Sequence, residues 1–208
     1  MAQQTPIPPA RPLPKGKISY EQFLQWLDED TWAEWVDGEV ELMSPVSSLH
    51  QDVGRFLIAI LQLYITHYDL GVLRYEPFQM KTGRDLPGRS PDILFVSRQN
   101  QHRLKPTHLD GPADLVVEIV SPDSEERDRV TKFAEYERGG VREYWLIDPQ
   151  KQEAEFYVLD EEGRYVLQAR GSSGEVRSKV LEGLWWRIEW LWNPPSEVEV
   201  LKQWRIVP

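Results

Sequence analysis

The sequence predicts a mixed α/β fold, and three observations support that prediction. A strongly amphipathic segment of helical period runs from His50 to about Tyr68. Segments with the patterns of strands follow it at 72–82, 91–97 and 114–120. A second helix is expected over about 125–138, and it leads to a fourth strand at 143–149. Because a helical crossover joins the last two strands, we expect them to share one mixed layer.

The composition of the 208-residue chain is that of one folded domain without thiol chemistry. Hydrophobic residues make up 40% of the chain and nine residues are tryptophan, which favours a sizeable core. The absence of cysteine excludes disulfides and thiolate metal sites, and the four histidines lack the spacings that favour zinc. No apolar stretch reaches the length of a membrane span, and no secretory signal opens the chain. We therefore expect a cytoplasmic protein with no membrane partner.

The N-terminal region is predicted to be an arm followed by a short helix. Residues 1–17 are rich in proline and polar side chains, which is typical of a disordered or extended segment. Ser19 and, three residues later, Gln22 form the pattern of a capping box. We therefore expect a helix to begin after Ser19.

A β-hairpin is predicted around Asp37 and Gly38, because alternating segments flank this pair and an Asp-Gly pair suits a two-residue turn. The resulting register places Glu34 opposite Glu41. Like charges opposed across two strands are unfavourable unless they are solvated or bridged by a cation. Of these two explanations, we expect solvation.

The C-terminal part is predicted to be a β extension of the same domain. Two strands flank the turn at 160–163, and the segment 174–192 is rich in tryptophan. We expect residues 18–208 to form a single domain, with a core at about 50–150 and the extension at about 151–208.

The net charge of −10 argues against a nucleic-acid partner, but the charges are segregated along the chain. No Lys or Arg occurs between Ile18 and Gly54, whereas basic residues dominate between Lys81 and Lys105. This segregation fits either two solvated surfaces of opposite sign or a basic edge that binds phosphate.

Two acidic residues are candidates for a metal site. Glu118 interrupts the apolar strand 114–120, where a charge costs several kcal/mol (roughly) unless it is paired, hydrated or metal-bound. Asp92 opens the strand 91–97, where it could instead cap a turn. If the two strands are neighbours, the carboxylates converge and need a cation or a shared proton. Mg²⁺ suits such a pair because it prefers oxygen ligands.

Lys132 is the third candidate, since it follows Glu118 on the next helix. It could orient an attacking water and stabilise transition-state charge. Alternatively, it forms a helical ion pair with Asp128, four residues earlier.

Three stretches carry a resemblance to a known family: 34-EWVDGEVELMSPVSSLH-50, 89-RSPDILFVS-97 and 112-PADLVVEIVSPDSEERDRVTKFAEYERGGVREYWLIDP-149. Together they resemble the PD-(D/E)XK nuclease superfamily and, more narrowly, the bacterial "putative restriction endonuclease" (Uma-type) family. The resemblance implies a restriction-endonuclease-like core of helix, three strands, helix and strand around a mixed sheet. An N-terminal β-hairpin and a C-terminal β extension would complete this fold.

The resemblance also implies a metal site and its ligands. It assigns Asp92, Glu118 and the backbone carbonyl of Ile119 as ligands of Mg²⁺, with Mn²⁺ as an alternative. It further implies a DNA substrate and, by family analogy, a homodimer.

One position departs from the superfamily pattern. The superfamily lysine stands two residues after the glutamate, where this chain has Val120. In the Uma-type family the lysine has moved to the following helix, which matches Lys132. Glu34 and His50 match recurrent family positions and are expected to support catalysis.

Two functions from different classes remain open at the level of sequence. The first is a Mg²⁺-dependent DNA endonuclease that uses metal-activated water. The second is a catalytically silent module that binds DNA or protein, and a nuclease active only within a complex is a third candidate. No phosphate-binding loop or nucleophile elbow is present, and no small-molecule cofactor is expected.

Overall fold

The computed structural model describes residues 12–122 and 124–208, so that most of the predicted arm at 1–17 lies outside the described residues. The helices of this part are α1 (Tyr20–Trp26), α2 (Ser48–Tyr68), α3 (Phe133–Gly139) and α4 (Glu197–Gln203). A π-helical turn (Arg127–Lys132) runs directly into α3, and 3-10 turns occupy Arg98–Arg103 and Ile188–Leu191. The strands are β1 (Ala33–Val36), β2 (Glu39–Leu42), β3 (Gly71–Tyr75), β4 (Gln79–Lys81), β5 (Gly88–Arg89), β6 (Ile93–Ser97), β7 (His108–Asp110), β8 (Leu115–Ile119), β9 (Glu143–Asp148), β10 (Glu153–Leu159), β11 (Tyr165–Gly171), β12 (Glu175–Arg177) and β13 (Trp185–Arg187).

The central layer is a six-stranded mixed sheet with the order β11-β10-β9-β8-β6-β3. Strands β8 and β9 are parallel, and the helical segment between them supplies the crossover that a parallel pair requires. The other neighbours in this sheet are antiparallel. Every residue of β8 and β9 is buried, as expected for strands covered on both faces. The predicted mixed α/β core is confirmed.

Helix α2 and the C-terminal segment cover one face of the central sheet. The predicted apolar stripe of α2 is buried and consists of Val53, Phe56, Leu57, Ile60, Leu61, Tyr64 and Ile65. The Trp-rich segment packs into the same core, where the ring of Trp186 contacts those of Trp145 and Phe156. No helix of the described residues is both long and apolar enough to cross a bilayer.

A second sheet of five short strands, in the order β2-β1-β5-β4-β7, contains the predicted hairpin. Met80 of β4 and Leu109 of β7 join the core on the other face of the central sheet, together with Tyr136 of α3. The hairpin register is confirmed, since Glu34 is the partner of Glu41.

The prediction of one strand over 72–82 is wrong. The chain forms β3 in the central sheet and then β4 in the second sheet, with a break at the cis peptide bond between Glu76 and Pro77. Proline has no N–H to donate to a ladder, and Pro77 lies where the chain leaves β3, the edge strand of the central sheet, for β4 of the second sheet. The break leaves Glu76 at the end of β3, which becomes important for the candidate site.

Of the two α-helices in the second half of the chain, one was predicted and one was not. The helix expected over about 125–138 is present and ends at Gly140, whose φ of 81° suits glycine. Helix α4 is not anticipated by the sequence analysis. Its signal is nevertheless visible, because Ser196 and Glu199 form a capping box at its start.

A substitution at Trp186 tests whether the C-terminal extension and the core unfold together as one cooperative unit. Its side chain is 1% exposed, so Trp186→Ala should lower the free energy of unfolding by about 3–5 kcal/mol. Urea unfolding followed by circular dichroism should show one transition in both proteins. Leu167→Ala, at a side chain that is 46% exposed, should change the free energy by less than about 0.5 kcal/mol. Two separate transitions would mean that the extension folds independently.

Candidate active site

The predicted acids meet where two neighbouring strands of the central sheet lie side by side. Ile93 of β6 pairs with Val117 of β8, and continuing this antiparallel register by one residue puts Asp92 opposite Glu118. Directly opposed residues project from the same face. The Asp92 carboxylate accepts a 2.5 Å hydrogen bond from the backbone N–H of Ile119 rather than capping its own turn. Asp92, Glu118 and Ile119 all line a cavity of about 300 Å³.

Glu118 is buried and bound by two donors. Its Oε2 accepts a 2.9 Å hydrogen bond from Lys132 Nζ, and its Oε1 accepts a 2.6 Å bond from the Tyr136 hydroxyl. Burial raises the pKa of Glu118 above its ordinary value; Lys132 opposes this increase, whereas Asp92 adds to it. The charge inside the apolar strand is therefore explained first by pairing with Lys132.

Lys132 is itself almost fully buried and lies among three carboxylates. Its Nζ lies 2.9 Å from Glu118, 3.4 Å from Glu34 and 3.6 Å from Asp128. Burial alone would lower the pKa of the lysine, but these acids raise it above its ordinary value. The ion pair with Asp128 and the contact with Glu118 are thus present together, and the ammonium stays charged at neutral pH.

The expectation that Glu34 is solvated is wrong. Glu34 is fully buried, where Arg89 Nη1 donates a 2.8 Å bond to one carboxylate oxygen and the Ser90 backbone N–H donates a 3.0 Å bond to the other. Burial would raise the pKa of Glu34, but Lys132 and Arg89 bring it below its ordinary value. Glu41, on the opposite strand, is half-exposed and lies 3.8 Å from Arg89. A cation, the guanidinium of Arg89, therefore lies near both acids.

The predicted site residues do not all belong to one group of ligand atoms. Among the described residues, His50, Glu76 and Asp92 each offer one ligand atom, and these atoms lie within 4.8 Å of one another. His50 Nε2 is 3.4 Å from Asp92 Oδ1. Asp92 was predicted as a ligand and His50 as a catalytic residue, whereas Glu76 was missed. The only sequence signal for Glu76 is its position before Pro77, which ends the strand.

This group fits a divalent cation. Burial is the largest cause that raises the pKa of Glu76 to about 9, and the charge of Asp92, a hydrogen bond with Asp92 and the charge of Glu118 contribute to the same increase. The acids are therefore crowded, and without a counter-ion Glu76 keeps its proton. Two carboxylates suit Mg²⁺ or Mn²⁺, and the imidazole of His50 favours Mn²⁺ of the two.

Comparison with known proteins places the chain in a family. A family model described as "Putative restriction endonuclease", named Uma2, matches residues 20–189. The chain belongs to the Uma2 family. An uncharacterized protein of Synechocystis sp. is 25% identical over 175 residues, which cover 82% of this chain and 88% of that protein.

The fold of this Uma2 chain is shared with a solved structure. The crystal structure of a "putative nuclease belonging to DUF820" from Anabaena variabilis superposes with a TM-score of 0.69 at 16% identity. The match covers 85% of this chain and 98% of that one. The similarity confirms the nuclease-like fold, and membership of the Uma2 family supports a nuclease.

Glu76→Gln should stabilise the metal-free protein. In the unfolded chain this glutamate has its ordinary pKa of 4.5, whereas in the folded protein its pKa is about 9. Between these values the folded state binds the extra proton, so stability falls as pH rises. Glutamine does not ionise, so Glu76→Gln avoids this loss of stability with rising pH. The free energy of unfolding at neutral pH should rise by about 1 kcal/mol, which is less than the full pKa shift implies because the side chain is partly solvated.

Thermal unfolding in EDTA measures the stability of the metal-free protein, and thermal unfolding in Mn²⁺ measures the stabilisation by the metal. Mn²⁺ should raise the Tm of the wild type but not that of Glu76→Gln, because ligand binding to the folded state stabilises it. Glu39→Gln removes a charge from the exposed side of β2 and should keep the Mn²⁺ response. An equal Mn²⁺ response in wild type and Glu76→Gln would exclude Glu76 as a ligand.

Lys132→Met should destabilise the fold by about 3–5 kcal/mol, because it leaves buried carboxylates without their cation. Adding Glu118→Gln should restore part of that loss, as a double-mutant cycle in urea would show. Lys151→Met, at a half-exposed ion pair with Glu125, should cost less than about 1 kcal/mol. Additive effects of the two core substitutions would contradict a direct Lys132–Glu118 interaction.

Proposed function

We propose that the chain is a divalent-metal-dependent DNA endonuclease that hydrolyses phosphodiester bonds with Mg²⁺ or Mn²⁺. The observation that carries the proposal is the convergence of His50, Glu76 and Asp92 beside the buried Glu118–Lys132 pair. Acids and a charged lysine around one cavity, in a chain of the Uma2 family, are the parts that metal-assisted phosphodiester hydrolysis needs.

The proposal assigns the metal to the residues at the strand ends. Asp92, Glu76 and His50 would hold the ion, and Glu118 and the Ile119 carbonyl are further ligands in the sequence-based assignment. When bound, the ion supplies a lowered water pKa and neutralises charge on the phosphodiester.

The remaining catalytic residues act through their charge and position. Lys132 stays protonated among its carboxylates, so in this proposal it stabilises negative charge that develops on the phosphate and positions the attacking water. Glu34, held by Arg89, helps to keep the lysine in the cavity wall. Glu34 is therefore a positioning residue rather than a group that meets the substrate.

A catalytically silent module is the second candidate, and specific observations favour it. Val120 occupies the usual superfamily lysine position, and Glu118 is already bound by two donors. Two of the basic residues in the segment that could form a phosphate-binding edge make internal contacts. Arg89 is buried against acids, and Lys81 donates to the Arg84 carbonyl and lies over the Trp35 ring.

A cleavage assay separates the two candidates. Supercoiled and linear DNA would be incubated with Mg²⁺ or Mn²⁺ and the cut products quantified by gel electrophoresis. Asp92→Asn and Glu118→Gln should each lower the rate by about 100-fold or more, since loss even of residues that support a metal ligand costs about 10- to 100-fold. Lys132→Arg keeps the buried positive charge and should retain more activity than Lys132→Met.

Asp52→Asn is the matched control, because Asp52 is an exposed acid on the same helix as His50. It should cleave as the wild type does. Cleavage that persists in both Asp92→Asn and Glu118→Gln would exclude the assigned site. Absence of cleavage by the wild type with either metal would favour the silent module. The homodimer stays a prediction, which sedimentation of the same samples would test.

A further inference from the structure

Three hydrogen-bond donors in the wall of the candidate cavity have no partner among the described residues. They are Trp32 Nε1, Ser90 Oγ and Arg127 Nε, and all three atoms are buried. Buried donors are nearly always satisfied by protein or by an ordered ligand or water, so each exception requires an explanation. All three belong to residues that line the same cavity, and so do two further buried atoms without a partner, His50 Nδ1 and the acceptor Asp128 Oδ1.

The three donors come from separate parts of the fold and are held in place by other contacts. Trp32 precedes β1, and its backbone carbonyl accepts a 2.9 Å bond from the Met43 N–H at the other end of the hairpin. Ser90 is 3% exposed, and its backbone N–H is bound to Glu34. The Ser90 hydroxyl is therefore fixed within the wall but left without a partner of its own.

Arg127 is the charged member of the set. It is the first residue of the π-helical turn, and its Nε lies 3.8 Å from Asp128 Oδ1, which is too far for a hydrogen bond. Its side chain is one-third exposed, so the guanidinium can also reach a molecule that enters the cavity. The neighbouring Arg129 differs, because Glu125, Asp148 and Glu155 bind it.

We infer that Trp32, Ser90 and Arg127 form an anion cradle that binds the nonbridging oxygens of the phosphate to be cleaved. The inference rests on the proposed function for the identity of that phosphate as part of DNA. An indole N–H, a hydroxyl and a guanidinium are all donors, and phosphate oxygens are strong acceptors. A guanidinium also presents paired donors in a geometry that matches phosphate.

The charge around the cavity explains why such donors are needed. Glu76, Asp92, Glu118 and Asp128 line it, and of the two basic lining residues Lys132 is already committed to carboxylates. A phosphate that enters the cavity meets repulsion from these acids unless hydrogen-bond donors and cations in the wall compensate. Arg127 is the lining cation that is less committed to carboxylates, since among the described residues its ion pair is the single 3.8 Å contact with Asp128.

The test uses inorganic phosphate in the presence of Mg²⁺ as the probe, because it contains no bond for a nuclease to cut. The readout is the indole N–H signals of the nine tryptophans in NMR spectra. The signal of Trp32 is identified because it is absent from the spectrum of Trp32→Phe. Phosphate should shift the Trp32 signal saturably. Arg127→Met should weaken phosphate binding by about 10- to 100-fold, the range for a charge-assisted hydrogen bond. Arg127→Lys should recover part of this loss, and Ser90→Ala should show a smaller loss.

Arg138→Met is the control, since it removes the same charge from an exposed position of α3. It should bind phosphate as the wild type does. The cradle is overturned if phosphate leaves the Trp32 signal in place, or if Arg127→Met and Arg138→Met bind phosphate alike. If Arg127→Met does not fold, Ser90→Ala gives the same comparison, because it removes one hydroxyl and leaves the rest of the side chain in place.

Cleavage assays distinguish this inference from the proposed function. If phosphate binding depends on Arg127 but the wild type cuts no DNA, the cradle stands and the endonuclease proposal fails. If the wild type cuts DNA and Arg127→Met keeps its kcat and KM, the cradle fails and the endonuclease proposal stands. Loss concentrated in kcat rather than KM would show that the cradle acts mainly in the transition state.

Discussion

The buried ammonium of Lys132 is the interaction on which the rest of the site depends. Its 2.9–3.6 Å contacts join the central strand through Glu118, the hairpin through Glu34 and its own helix through Asp128. An unpaired charge in this environment is costly, so the lysine and its acids hold one another in place. This network binds Glu118 and leaves Asp92, Glu76 and His50 as the group that we propose binds the metal.

The crowding of the acids has opposite effects on the stability of the metal-free fold and on metal binding. Glu76 keeps its proton in the metal-free protein because burial and its acidic neighbours disfavour a second charge. A divalent cation would remove that conflict, since each carboxylate gains more from the ion than it loses by approaching the other. The same arrangement that destabilises the metal-free fold is therefore the one that suits metal binding.

The second sheet completes the cavity and supplies much of its chemistry. Glu34 of β1 and Arg89 of β5 form a buried pair, and Arg89 also binds Glu135 of α3 through two 2.8 Å hydrogen bonds. These bonds attach the hairpin to the helix that carries Lys132. The position of Trp32 beside the cavity follows from this attachment, because Trp32 lies directly before β1.

The sequence by itself predicted most of the elements and two of the candidate site residues, because those depend on short-range patterns. The isolated charge of Glu118 in an apolar strand and the Pro-Asp start at Asp92 identify them without any tertiary contact. Only the tertiary structure decided that Glu34 is buried and that Glu76 joins His50 and Asp92. Both facts depend on contacts between residues that are distant in sequence. Glu34 pairs with Arg89, 55 residues later, and Glu76 lies beside Asp92 because β3 pairs with β6. Such convergence depends on which strands become neighbours, and no local period in the chain encodes that choice.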